Sequence, residues 1–540
     1  MFRCLLLLVL CVSSWAAEDV PAGAIGWGLT VFQGERPDTF GLEVIGTLRG
    51  AMPEEDRILV RLTGALAEST GIAAGMSGSP VYIGDRLVGA LTSTFPFVID
   101  PVGMVTPIGA VLRPESAQGS ADVGTPLPMT GTSLGFDSPA LSALSAGLPA
   151  SIAFTAGGRG ESTGNLEPGT VGAAVLVDGD WVLSILGTIT WRSGDRVALF
   201  GHQVFGFGSV DLPLAGGSVV ATLPNRALSF KMSNAGPVVG SIIYDGVSGA
   251  IGQVGRVPRM LPVRITASDP KRAFDLRLAV HPLLTPLLLR TCVLNCGGAL
   301  GGAGTSTASA TMTIRFDDGS SRAIERAASG AGAFGRVSED FGGVLDAVMS
   351  CPIGRIVPDS VVIAMAVEPE QPTYYLERVV IDHGPGTRAR DVEVEMRFLS
   401  RDGVPVRRNV RLRLPEVSDT DALRLEVGDA SSASQWEHER AALAHLPATA
   451  EDYLDEVFAP WRPNGIYLRI VTAAKGWSRR DGEVSRLPRS MAMVLGRAPQ
   501  RGWHDLTSFS VVSQAEIIMD GPVYGSAIVD LTLPKEGASQ

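Results

Sequence analysis

Ser77 stands in the string Gly75-Met76-Ser77-Gly78-Ser79-Pro80, inside AAGMSGSPVYIGDRLVGAL from Ala73 to Leu91. A serine hydroxyl is a poor nucleophile at neutral pH. It needs a base within hydrogen-bond reach and donors aimed at the developing oxyanion. A tight Gly-x-Ser-Gly turn can supply the donors: Gly75 can adopt backbone conformations that bulkier residues resist, so its N–H and that of Ser77 could converge on one point. Gly78 and Pro80 shape the exit into a strand at Val81, and Ser79 lines the turn. The same residue types also suit a turn-rich β-hairpin with no chemistry, so the base decides between the two.

That base must be one of six histidines. His281, in the apolar LAVHPLLTPLLL, reads as core. His383, His438, His445 and His504 lie in later, polar or helical segments and read as surface or capping residues. His202 ends the strand-like DRVALFGH and is enclosed by Gly201, Gly206 and Gly208. A histidine at a glycine-rich strand end can point into a cleft.

These residues must be positioned by a mainly β chain. Its 540 residues exceed one compact core, and 45% apolar with 19% charged residues marks it as globular. Val- and Thr-rich runs broken by Gly and Pro outnumber helical periodicities. Residues 24–115 form a Ser-bearing β-barrel half, 116–170 a linker with a short helix near Pro139–Leu148, and 171–260 a His-bearing half. Then come a β-rich region over 261–370, with a Gly-rich loop at Gly297–Ala310, and an immunoglobulin-like sandwich over 371–435. The sandwich is signalled by alternation in Asp391–Pro415 around an Asp402-Gly403 turn. Residues 436–540 are mixed, helical to about 460.

Arg3, the apolar run Cys4–Val12 and small residues at Ser14 and Ala16 read as a signal peptide, 1–16, and thus a secreted or periplasmic protein. No later run is long enough to span a bilayer. Three cysteines remain after the signal, Cys292, Cys296 and Cys351: no disulfide framework, and no zinc-ligand spacing. A net charge of −11 argues against nucleic acid or anionic lipid as partner. No cofactor or metal is called for; the partner is a protein or peptide substrate.

The two segments together resemble the stage IV sporulation protein B peptidases, secreted serine peptidases of the chymotrypsin-like clan. TVFQGERPDTFGLEVIG, ESTGIAAGMSGSPVYIGDRLVGAL and VTPI carry the Ser half; GTITWRSGDRVALFGH and GSIIYDGVSGAIG carry the His half. The resemblance implies a chymotrypsin-like double β-barrel, Ser77 as nucleophile, His202 as general base and Gly75 in the oxyanion hole. It also implies a narrow range of substrates, one or a few envelope proteins or the chain itself. Two departures stand out. The Ser half precedes the His half, a permuted order. Leu62 occupies the place, fifteen residues before the serine, where that family carries its orienting aspartate. Asp245 is the preferred substitute and Asp211 the next. The competing expectation is a catalytically inactive homologue serving as an envelope peptide-binding or scaffold protein.

Overall fold

The computed structural model describes residues 20–531 apart from 53–54, 96, 115–124, 127–128, 149–151, 269–270, 301–305, 370, 383–390, 414–422, 442–448, 460, 473–475, 480–481, 486–488, 497–503 and 506–509. The expected signal peptide, residues 1–16, lies outside the described residues. The chain is mainly β and folds as two compact units, Met1–Val263 with Phe274–Asn295, and Arg264–Ala273 with Cys296–Gln540.

The first unit holds both site segments. Strands β1 (Ile25–Thr30), β2 (Asp38–Met52), β3 (Glu55–Thr63), β4 (Pro80–Ile83), β5 (Arg86–Thr94) and β6 (Val102–Pro107) pair in the order β1-β2-β3-β6-β5-β4, and β4 returns to β1. This ring is a closed six-stranded barrel. Closure removes the open edges that a flat sheet would expose. Alternation along the strands turns Phe40, Leu42, Val44, Ile58, Val60 and Leu62 into its core.

Two strands of the expected linker, β8 (Met129–Leu134) and β9 (Ile152–Ala156), extend the neighbouring sheet instead, after a two-residue β7 (Thr125–Pro126) on β5. Between them lies the anticipated helix, Ser138–Gly147, capped by Asp137, whose side chain accepts from the Ala140 N–H, with Pro139 in the first turn.

Strands β10 (Val171–Gly179), β11 (Val182–Ser193), β12 (Arg196–Leu199), β13 (Gly208–Leu223), β14 (Phe230–Gly246) and β15 (Gly249–Val254) pair in the order β10-β11-β12-β15-β14-β13, with β13 returning to β10. The second ring therefore repeats the connectivity of the first. Two closed barrels are consistent with the chymotrypsin-like class. Buried clusters join them: Val31 packs with Val171, Ala173, Leu186 and Val219, and Ala90, Ile108 and Val111 pack with Ala198 and Ile251.

The second unit contains an antiparallel sheet of Ser306–Phe316, Ser321–Gly330 and Pro358–Pro369, with the helix Ala333–Met349 against it. Ser306–Ala310, read from sequence as loop, thus belongs to a strand. Beyond it, two four-stranded sheets share one core that includes Val394, Phe398, Leu425, Leu468 and Ile470. The sandwich includes the expected hairpin at Asp391–Ser400 and Pro405–Arg413, but strands as far as Ser526–Leu531 complete it. Such long-range pairing leaves no local signal.

The barrels approach closely behind the Ser77 turn. Gly78 has φ +90°, and a Cβ there would lie 2.2 Å from the Thr188 carbonyl oxygen and 2.5 Å from the Phe200 nitrogen. Gly78→Ala is expected to cost at least about 2 kcal/mol, from left-handed strain plus a backbone clash, read as a lowered melting temperature.

Candidate active site

The nucleophile turn belongs to the first barrel but is held by the second. Within the turn, the Met76 N–H donates to Ala73 O at 3.0 Å and Ser79 Oγ donates to Met76 O at 2.6 Å. From β11, Thr188 donates its N–H to Ser77 O at 2.7 Å and its hydroxyl to Gly75 O at 3.1 Å, while Thr190 donates to Gly78 O at 2.7 Å. From β14, Lys231 donates its N–H to Ala74 O at 3.1 Å. The turn's carbonyls are thus tied up. The N–H groups of Gly75 and Ser77 have no acceptor among the described residues, although both residues are buried. Buried N–H groups are rarely left unpaired, and two of them one residue apart suit a developing oxyanion. Gly75, at φ +96°, is the residue that permits this geometry.

His202 follows β12 after two residues of positive φ, Phe200 at +69° and Gly201 at +68°. This turn carries its ring to the serine. Nε2 lies 2.9 Å from Ser77 Oγ, and Nδ1 lies 2.7 Å from Gln203 O. A carbonyl oxygen only accepts, so the hydrogen sits on Nδ1, and in the neutral ring Nε2 must accept from the serine hydroxyl. Ser77 is 0% exposed and His202 9%.

Asp245 is the penultimate residue of strand β14, 0% exposed. Its Oδ1 accepts the Val204 N–H at 2.7 Å, and its Oδ2 accepts those of Phe205 at 2.8 Å and Gly206 at 2.9 Å. Burial raises its carboxyl above the usual value, opposed by these N–H groups. The Val204 N–H and the Gln203 carbonyl are two ends of one peptide group. A trans peptide points them in opposite directions, so Asp245 grips one end of the plane whose other end holds His202.

Asp211 is engaged elsewhere: it accepts from Ser241 Oγ at 2.6 Å, Arg256 Nε at 3.2 Å and the Arg259 N–H at 2.9 Å. Leu62 is core in the first barrel. His281 stacks on Phe207 with ring centroids 4.0 Å apart, and burial lowers its pKa. His383 and His445 lie outside the described residues. Among the described residues, no His, Cys, Asp or Glu cluster could hold a metal.

Residues 16–103 match the SpoIVB peptidase S55 family. The match covers the Ser-bearing barrel as far as β6 and includes Ser77; it does not reach His202. No curated protein matches the chain, and no solved structure does.

Sequence reasoning missed the groups that hold the turn. Thr188 and Thr190 stand in the sequence only as members of the GTITWRSGDRVALFGH pattern, and Lys231 carries no assigned role there. Its signal is a lone lysine between apolar residues of a strand. Its Nζ donates to Thr30 Oγ1 at 2.6 Å and Gly75 O at 3.3 Å. Burial lowers its pKa from 10.5 to about 7, which the charge of Asp38 partly offsets.

Three outcomes follow from these contacts. Asp245→Asn places an amide donor against a set of N–H donors and is expected to slow serine labelling by a fluorophosphonate roughly 10- to 100-fold, whereas Asp211→Asn leaves it within about twofold. Because Lys231 titrates at about 7 when folded and near 10.5 when unfolded, the unfolded chain binds more protons between those values. Stability therefore rises with pH across that window. Denaturant titrations at several pH values should show this rise in wild type and a flatter profile in Lys231→Met.

Proposed function

We propose that this chain is an exported serine endopeptidase of the sporulation protein B type, cleaving one or a few envelope proteins, or itself, by acyl transfer. The observation that carries the reading is the 2.9 Å contact between Ser77 Oγ and His202 Nε2, the ring nitrogen whose lone pair faces the serine when Nδ1 donates to Gln203 O. Ser77 Oγ adds to the scissile carbonyl carbon as its proton passes to Nε2. The negative carbonyl oxygen is received by the N–H groups of Gly75 and Ser77. Collapse breaks the C–N bond, and His202 returns the proton to the departing amine. Water, deprotonated by the same ring, then releases the acyl group.

Asp245 serves in this scheme as a positioning residue. In the usual triad a carboxylate touches the imidazole and fixes its tautomer. Here the Gln203 carbonyl does so, and the carboxylate fixes that carbonyl through the shared peptide group. Hydrogen bonds in series polarise one another, so the buried charge strengthens the acceptor that faces His202.

Export is supported by the apolar N-terminal run, and no described helix is long and apolar enough to cross a membrane. A second reading, a non-catalytic peptide-binding or scaffold protein, is favoured by the burial of Ser77 and by Leu62 in place of an acid. The two readings separate on one experiment. The purified mature chain is treated with a fluorophosphonate probe beside Ser77→Ala and His202→Ala. The peptidase predicts labelling of wild type, none of Ser77→Ala, and a rate at least about a thousandfold lower for His202→Ala. A well-folded wild type that takes no label removes the peptidase reading.

A further inference from the structure

Gly75 is the pivot of the oxyanion turn, because its φ and ψ determine where its own N–H points relative to that of Ser77. Two peptide groups flank it, Ala74–Gly75 and Gly75–Met76. One residue of the other barrel holds both. The Lys231 N–H is on Ala74 O at 3.1 Å, and the Lys231 Nζ is on Gly75 O at 3.3 Å. The stem between these two atoms fills the space beside the glycine: a Cβ on Gly75 would lie 3.1 Å from Lys231 Cδ. The amine itself is anchored at 2.6 Å on Thr30 Oγ1, at the end of β1. Thr30 Oγ1 is in turn 3.4 Å from the hydroxyl of Thr188, the other donor to Gly75 O.

We propose that Lys231 is the positioning residue of the oxyanion hole, its backbone N–H and Nζ together locking the peptide planes on either side of Gly75. This rests on the peptidase reading above. A lysine is an expensive way to fill a buried site, since an amine taken out of water loses strong hydration. Valine or leucine would pack there without that cost. Neither could reach back over the glycine to donate to its carbonyl. The side chain must be long enough to span from its own Cα on β14 to Gly75 O and still touch Thr30, and it must end in more than one donor. Lysine meets both requirements. Without the amine, the carbonyl of Gly75 keeps only the Thr188 hydroxyl at 3.1 Å, and a single donor leaves it more room to tilt toward the space that the substrate oxygen must occupy, where it would repel the oxyanion.

The test is the kinetics of fluorophosphonate labelling across a range of probe concentrations, which separates probe affinity, KI, from the bond-forming rate, kinact. Lys231→Met keeps an unbranched stem and the backbone N–H on Ala74 while removing both side-chain hydrogen bonds. The expected result is a kinact lower by roughly 10- to 100-fold with KI within about twofold of wild type, because a misaimed oxyanion donor harms the transition state more than binding. A residue needed for packing alone would lower the melting temperature and leave kinact of the folded fraction intact; that outcome overturns the proposal. Thr30→Val removes only the anchor of the amine and guards against a misfolded Lys231→Met. It is expected to lower kinact by about 3- to 10-fold, and an unchanged kinact in it overturns the proposal. Wild type that is never labelled sinks the peptidase reading itself. Labelled wild type with unchanged variants sinks the role of Lys231 alone.

Discussion

The hydrogen bond between Ser77 and His202 has a direction, and one backbone carbonyl sets it. With Gln203 O taking the hydrogen of Nδ1, the neutral imidazole has a single lone pair in the ring plane, and that lone pair faces the serine. Were Nδ1 to face a donor instead, the hydrogen would sit on Nε2, and the serine would meet a donor where it needs a base. Much else in the site keeps this carbonyl in place. Asp245 gathers the N–H groups of Val204, Phe205 and Gly206, so the segment after His202 wraps around one buried carboxylate. A single buried carboxyl group thus organises several backbone groups that would otherwise be orphaned.

The same division of labour runs through the whole seam. Ser77 comes from the first barrel and His202 from the second, and the second barrel also holds the Ser77 turn in place. The Ser77 turn belongs to the first barrel, yet its carbonyls are bonded to Thr188, Thr190 and Lys231 of the second. Breaking the seam would therefore do more than separate serine from histidine. It would release the carbonyls of Ala74, Gly75 and Ser77, whose peptide planes fix the backbone around the Gly75 and Ser77 N–H groups. Geometry of this kind is over-determined: many modest hydrogen bonds, each about 1 kcal/mol net, act on a turn of six residues.

What the sequence disclosed was what depends on neighbours along the chain. The Gly-x-Ser-Gly-x-Pro turn, the hairpin after it and the glycine-rich end of the His202 strand are local, and each was legible. Asp245 was legible as a candidate because it closes a strand before a Gly turn. How it would act was not. A carboxylate that reaches an imidazole through a peptide group leaves no spacing rule, since the mediating atoms are backbone and carry no residue type. Lys231 was missed for a related reason. Its partners, Thr30 and Gly75, lie 201 and 156 residues away, and its apolar neighbours in the sequence, Phe230 and Met232, do not say what its amine would meet. The sandwich in the second unit was read too short because Leu423–Gly428 pairs with Ser526–Leu531, about a hundred residues on.

Chain order is a weak constraint on such a site, and the barrels show why. Both rings close in the same order, first strand to second to third, then sixth, fifth and fourth. Within that order Ser77 precedes the fourth strand of its ring, His202 follows the third strand of its own, and Asp245 ends the fifth. Each position is a loop or a strand end, and these are where a rigid ring can vary without losing its ladder. Two rings packed side by side bring these loops together whichever ring the ribosome makes first. The serine half coming before the histidine half therefore alters the connection between the rings, Ile108 to Thr170, and leaves the constellation itself to the packing of one barrel on the other.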